Sequence, residues 1–264
     1  TLTVTDGNNN TSTCVATVTV VDNIPPTFTC PVPVTVNNCS DLVPDLVTGI
    51  TNEADACGVA SVTQNPVAGS DFGNANGGTV NVTITATDVN GNTSTCVVVV
   101  TIVDNVAPVV TNCPVDMTVN NDIDKCAAVV TWTAPIFTDD CAGILTPSQS
   151  GPTSGTLLPV GTTHTVIYTA TDGANNTSTC SFTIDVMDMQ APNAVCADYT
   201  VNLNAAGNAT ITTANIDGGS NDNCPAALTL VAGETAFDCT EVGDNNVTLT
   251  VTDGNNNTST CVAT

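Results

Sequence analysis

The chain has 264 residues, with 25 Asp and Glu against 1 Lys or Arg, a formal net charge of −24. Such a surface repels phosphate backbones and anionic lipid, so neither nucleic acid nor a membrane surface is an expected partner, while divalent cations are attracted. One His, one Lys and no Arg leave almost no material for a Ser-His-Asp or Cys-His arrangement, so no catalytic residue and no enzyme activity are expected.

The 13 Cys contain no CxxC spacing, and the single His is His164. That pattern argues against zinc and for disulfides in an oxidising, extracellular or cell-surface compartment. The longest apolar run, Val97 to Val100 followed by Ile102 and Val103, is too short to span a bilayer. Thr1 stands in the middle of a recurring pattern, and the chain is read as a piece of a longer protein.

Residues 1–17, TLTVTDGNNNTSTCVAT, return letter for letter as residues 248–264, an offset of 247 residues. A shorter period lies inside. The string T-D-x-x-x-N-x-S-T-C begins at Thr5, Thr87, Thr171 and Thr252, which places Asp6, Asp88, Asp172 and Asp253 at equivalent positions. A second landmark recurs as VDNIPP, VDNVAP and MDMQAP, with Asp22, Asp104 and Asp188 in the same place. These landmarks divide the chain into the last hairpin of a preceding module (1–21) and three modules at 22–103, 104–187 and 188–264.

In chain order, the hairpin continues past its turn with Cys14, Ala16, Val18 and Val20 alternating against Val15, Thr17 and Thr19. The first module alternates Val82, Ile84 and Ala86 with threonines, the second Val166, Tyr168 and Ala170, the third Val247, Leu249 and Val251. Period two in Val, Thr and Ile marks strands with one buried face. The Asp-Gly-Asn segments between them read as hairpin turns, with Asn and Gly supplying left-handed conformations. His164 is read as a solvent-facing strand residue, and no segment shows a helical period. The fold class expected is all-β: tandem immunoglobulin-like β-sandwich modules in an elongated array.

By its motifs the chain resembles the hyalin-repeat (HYR) family. The middle module carries the fullest match: APVVTNCP, VVTWTAP around Trp132, TDDC, LLPVGTTHTVIYTATD and NNTSTCSFTIDV. The first module lacks the Trp; the third lacks the second Cys and gains Cys239 in AFDCTEVG. The resemblance implies an immunoglobulin-like fold, an extracellular or cell-surface setting, often in long bacterial surface proteins, and no enzyme.

Each module holds four Cys, and Cys14 is the overlap copy of Cys261. Four Cys allow three connectivities. In an immunoglobulin-like sandwich the first strand runs beside the last, which favours Cys30–Cys96, Cys113–Cys180 and Cys196–Cys261. The remaining Cys would pair as Cys39–Cys57, Cys126–Cys141 and Cys224–Cys239. Each long loop so closed stabilises its module by roughly 4 kcal/mol on the chain-entropy model.

The linker VDN-x-x-P resembles the acidic junctions of cadherin-type arrays. Asp104 would approach Asp172, Asp22 would approach Asp88, and Asp188 would approach Asp253, giving oxygen ligands for Ca²⁺. The alternative reading is an Asx turn capping each loop beside a plain linker. With Cys141 bridged to Cys126, Asp139 and Asp140 would fall at the opposite end and leave such a site short of ligands. Asn10, Asn92, Asn176 and Asn257 open N-T-S sequons on exposed loops and are candidate glycosylation sites.

The function expected is structural: a component of an extracellular fibre, filament or stalk, with copies of itself as partners through covalent tandem repetition and lateral bundling. No cofactor is required, and Ca²⁺ is the candidate stiffener. A three-module block would advance on the order of 100 Å. A surface adhesin is the alternative, binding glycan or protein through loops 63–79 and 146–158. A polymer joined by exchange of the duplicated strand is a third reading.

Overall fold

The computed structural model describes residues 1–72 and 78–264. It is almost entirely β-structure, and the strand pattern follows the period-two signal. In the first repeat Gly78–Asp88 pairs antiparallel with Thr93–Ile102. Val82, Ile84 and Ala86 on one face of that ladder are fully buried. Thr163–Thr171 pairs the same way with Thr177–Met187, and Val247–Thr252 with Thr258–Ala263. The turn closing each hairpin puts the third residue after its Asp at positive φ: Asn9 at 69°, Gly91 at 93°, Asn175 at 72° and Asn256 at 71°. Asn and Gly are the residues that tolerate this region, which is why no β-branched residue stands there.

In the first two repeats the second strand flanks the last. Val34–Val36 lies parallel to Val100–Ile102, and Met117–Asn120 lies parallel to Ile184–Met187. Opposing sheets supply the other wall: Thr27–Thr29 pairs with Thr51–Ala54, and Val109–Thr111 pairs with Ile136–Thr138. The result is a set of β-sandwiches. Three separate apolar clusters fill them, one spanning residues 28–100, one 110–186 and one 194–263. In the middle cluster Trp132 packs edge-on against Phe182, ring centroids 5.5 Å apart, and its Nε1 donates to the Tyr168 hydroxyl at 2.9 Å.

The described chain folds as two compact units. The first holds residues 1–107 together with the loops 139–143 and 172–176. The second holds the rest of the middle repeat and all of the third. The segments that meet where the first repeat joins the second therefore lie within the first unit, and those that join the second to the third lie within the second.

Several expectations need correction. In the opening hairpin only Leu2–Thr5 and Thr11–Cys14 are strands, every residue of them exposed, and the alternation from Val15 onward forms none. A four-residue helix, Thr213–Ile216, interrupts the β-pattern, started by Asn215, whose side chain accepts the Thr212 N–H at 2.8 Å. His164 is only partly exposed, because it shares the inward phase of its strand with Val166 and Tyr168. Of the loop 63–79, residues 63–65 extend the strand Val59–Asn65, and residues 73–77 lie outside the described residues. The loop 146–158 includes the strand Ser148–Ser150 and most of Thr156–Pro159.

The disulfides divide into two kinds. Cys30–Cys96, Cys113–Cys180 and Cys196–Cys261 close within a repeat, the pairs expected, although in the first two repeats it is the second strand, just after Cys30 and Cys113, that lies beside the last. The short-loop pairs do not form. Cys39 bonds Cys141, and Cys126 bonds Cys224, while Cys57 and Cys239 are exposed free thiols. The reason is the length of a strand. Cys39 follows Val34–Val36, beside Ile102 and hence Gly78, whereas Cys57 adjoins Val59, which pairs with Asp88. Gly78–Asp88 has 11 residues and separates these ends by roughly 33 Å. A disulfide reaches only when Cα atoms lie within about 7 Å. Cys39 and Cys141 are 5.1 Å apart, and Cys126 and Cys224 are 4.7 Å apart.

Phe182→Ala removes a fully enclosed ring and the edge that Trp132 rests on. We expect a loss of about 3–5 kcal/mol, read by denaturant unfolding of the oxidised chain. Ser181→Ala, exposed on the opposite face of the strand, should stay within roughly 0.5 kcal/mol of the parent.

Candidate cation site at the repeat junctions

Three short segments meet at each start of a repeat: the linker Asp, the D-x-C loop and the T-D hairpin turn. The turn is organised by its own Asp. Asp172 Oδ1 accepts the N–H groups of Ala174 and Asn176, both at 2.8 Å, and Oδ2 accepts the Asn176 side-chain amide at 2.8 Å. Asp88 and Asp253 make the same bonds, and so does Asp6 in the opening hairpin. The Asx-turn reading of these residues is therefore what the structure displays. Burial alone would raise the Asp88 carboxyl, but the Asn92 side chain and the N–H groups of Asn92 and Asn90 together hold it below the ordinary value.

The D-x-C loops are built alike. Asp55 accepts the N–H groups of Cys57 and Gly58, Asp139 those of Cys141 and Ala142, and Asp222 that of Cys224. The linker is then tied to the turn by the last Asn of each hairpin. Asn92 donates to the Asp22 carbonyl, Asn176 to that of Asp104 and Asn257 to that of Asp188, at 3.1–3.3 Å.

At the start of the middle repeat these segments bring three buried carboxylates together. Asp104, Asp139 and Asp172 each present an oxygen within 4.8 Å of the other two. Asp139 Oδ2 is buried with no hydrogen-bond partner. The expected approach of Asp104 to Asp172 is present, and Asp139, which the Cys126–Cys141 pairing would have sent away, is the third member because Cys141 bonds Cys39 instead. At the third linker Asp188 and Asp222 lie together with Cys224, and Asp188 Oδ2 and Asp222 Oδ1 are both buried and unpartnered. Asp253 is near enough to act on Asp188 electrostatically. At the first linker the group is Asp22, Asp55 and Cys57. Asp22 is linked to Asp88 through Asn90, which donates its amide to the Asp22 carboxylate and its N–H to Asp88, and through the Asn92 amide, which donates to the Asp22 carbonyl and to the Asp88 carboxylate.

The electrostatics are costly. Two unit charges about 4–5 Å apart repel by roughly 3–4 kcal/mol at an effective dielectric near 20. The single Lys, Lys125, lies 3.5 Å from Asp122 and offers nothing here. Burial raises the Asp104 carboxyl, and Asp139, Asp172 and Asp140 push it further; burial raises that of Asp188, with Asp222 and Asp253 adding to the effect. Oxygens bound to one Ca²⁺ at 2.3–2.6 Å cannot lie more than about 5 Å apart. The spacing of Asp104, Asp139 and Asp172 meets that limit, and the all-oxygen donor set suits a hard cation.

The sequons occupy the same architecture. The side-chain nitrogens of Asn92, Asn176 and Asn257 each donate to two oxygens, a linker carbonyl and a turn carboxylate. A sugar on that nitrogen removes one of its two hydrogens. The Asn10 amide bonds Asp6 alone.

Residues 103–186 match the HYR domain. That stretch is the middle repeat, with Asp104, Asp139 and Asp172 inside it. Hyalin from Strongylocentrotus purpuratus is 32% identical over 205 residues, 72% of this chain and 16% of that protein. Hyalin from Lytechinus variegatus is 43% identical over 67 residues, 25% of this chain and 12% of that protein. The chain thus spans less than a fifth of the length of these two relatives. Both are sea-urchin proteins and give no support to the bacterial setting implied by the resemblance. Among solved structures, human CDH23 EC21-23 aligns with 91% of this chain and 100% of its own at 11% identity and a TM-score of 0.39. Mouse Cadherin-23 EC22-24 aligns with 90% and 97% at 13% identity and a TM-score of 0.36. The five disulfides fit a secreted or cell-surface protein. No helix among the described residues is long and apolar enough to cross a membrane.

Two outcomes follow from this geometry. In excess chelator, Asp139→Asn should raise the melting temperature of the middle repeat, because it removes one of three clustered charges while keeping the oxygen that accepts from Cys141 and Ala142; an unchanged or lower value counts against the repulsion. Produced in a glycosylating host, the chain should show no glycosidase-sensitive mass at Asn92, Asn176 or Asn257.

Proposed function

We propose that this chain is a load-bearing segment of an extracellular, adhesion-type repeat protein, non-enzymatic, whose β-sandwiches are joined through covalent staples and calcium-loaded junctions. The observation that carries this reading is the pair of disulfides that run from one repeat to the next, Cys39–Cys141 and Cys126–Cys224. A flexible string of independent binding domains gains nothing from such bonds. A segment that must transmit tension does, because the staple keeps the linker from being the weakest element. The cross-repeat hydrogen bonds agree: Ser40 N–H donates to Asp140 at 3.3 Å, Asp124 N–H to Gln190 at 2.8 Å, and Asn223 to the Lys125 carbonyl at 2.9 Å.

Calcium fits the carboxylate cluster and would neutralise it. Asp104, Asp139 and Asp172 would hold the ion, the linker carboxylate being fixed against the hairpin turn through Asn176 and the D-x-C loop through the Cys39–Cys141 bond. Copies of the same block are the proposed partners in the assembled material.

Calcium at a hundredfold excess over its Kd should stabilise the middle repeat by about 2.7 kcal/mol, and Asp139→Asn should abolish that gain. A melting temperature indifferent to calcium in the parent chain removes the cation from the reading. Electron microscopy of the native material should show a beaded thread with a long period on the order of 100 Å. Compact separate particles, or a glycan array lit through residues 146–158, would turn the assignment towards a soluble adhesin.

A further inference from the structure

Three exposed thiols remain after the five bonds are formed within and between the repeats: Cys14, the copy of Cys261 in the opening hairpin, and Cys57 and Cys239, one in the first repeat and one in the third. Cys57 is the D-x-C cysteine of the first repeat. Its loop has the same Asx turn as those of Cys141 and Cys224, and its sulfur lies beside a linker Asp and a loop Asp as theirs do. Cys141 and Cys224 both accept a bond from the preceding repeat. Because two of these three equivalent sulfurs are oxidised, the group Asp22, Asp55 and Cys57 is better read as an unfilled staple position than as a thiolate metal site.

Cys239 is the matching donor. In the middle repeat the bonded cysteine, Cys126, begins the strand Ala127–Val130, which pairs with Thr156–Pro159 so that Ala128 faces Leu158. Val160 N–H bonds the Cys126 carbonyl at 3.1 Å across the next rung. In the third repeat Asn208–Thr210 pairs with Ala236–Asp238 so that Ala209 faces Phe237. The next rung there sets Gly207 against Cys239, whose sulfur lies 3.6 Å from the Gly207 carbonyl oxygen. A Cβ placed on Gly207 would come within 2.7 Å of that sulfur. The third repeat has therefore moved its cysteine across one rung of the ladder, from the position of Cys126 to that of Val160. Gly207 leaves the sulfur room at the same end of the sandwich. This is the end remote from Asp253, and in the middle repeat it is the end from which Cys126 reaches the following repeat.

The 247-residue period supplies the partner, since the third repeat closes on the same 17 residues that precede the first. We propose that Cys239 of one block forms a disulfide with Cys57 of the next, so that one staple crosses every junction of the protein, between blocks as well as within them. The bond forms by exchange with a disulfide donor of the secretory compartment. The Cys239 thiolate attacks the donor disulfide and releases one donor thiol. The Cys57 thiolate then displaces the second donor thiol from the mixed disulfide, so two protein thiols are oxidised as one donor disulfide is reduced. The proposal rests on the tandem reading, and its test is chosen to fail separately from it.

Count maleimide-reactive thiols, after denaturation without reductant, in this chain and in one carrying a second copy of residues 18–264 after Thr264. The single chain has three, Cys14, Cys57 and Cys239. The double chain should still have three, because the added block consumes its own Cys57 and the upstream Cys239 in one bridge. A proteolytic map should recover EADACGVA joined to AFDCTEVG. Cys57→Ser in the second copy should raise the count by one, by freeing the upstream Cys239. A count of five in a folded double chain, or a map that joins like to like, overturns the staple and leaves tandem repetition standing.

Discussion

A disulfide joins only cysteines whose backbones already lie side by side, and in this protein a strand length separates the two ends of each sandwich. That one constraint organises the rest. Each repeat has cysteines inside its body, where the segment that follows the first strand meets the last, and cysteines at its two ends. The inner pair, such as Cys113 and Cys180, closes on itself. The end cysteines cannot meet their own partners across the sandwich, and so they meet those of the neighbouring repeat. Covalent continuity between repeats follows from where the cysteines sit on the strands.

The same constraint assembles the carboxylates. Bonding Cys141 to Cys39 holds the D-x-C loop at the start of the middle repeat, next to the linker. Asp139 is two residues away on that loop and cannot avoid Asp104 and Asp172. A buried cluster of three acidic groups with no basic side chain beside it is unfavourable alone and favourable around a divalent ion. In the hairpin turns each Asp locks its own turn while the neighbouring Asn grips the linker carbonyl. Staple, turn and carboxylate cluster therefore act on the same few residues.

The three starts of repeats are not identical. At the first, Cys57 remains a thiol and Asp22 stays partly exposed, its carboxyl held below the ordinary value by the Ile24 N–H, then by Asn90 and Cys57. At the second and third, the linker carboxylates Asp104 and Asp188 are buried and raised.

Much was legible in the residues alone. The β-class, the inward phase of Val82, Ile84 and Ala86, the turns at Asn9 and Asn256 and the long intra-repeat disulfides all depend on local periodicity or on one topological rule, so a linear reading reaches them. The small helix at 213–216 was missed because four residues held by one cap leave no period to detect. The short disulfides were misread for a deeper reason. Elimination within the repeat left Cys39 and Cys57 as partners, whereas which end of a sandwich each occupies depends on how the strands pair. That placement, decided only in three dimensions, separates Cys39 from Cys57 and brings Asp139 to Asp104. The sequence determined which residues could bond; the length and pairing of the strands decided which of them do.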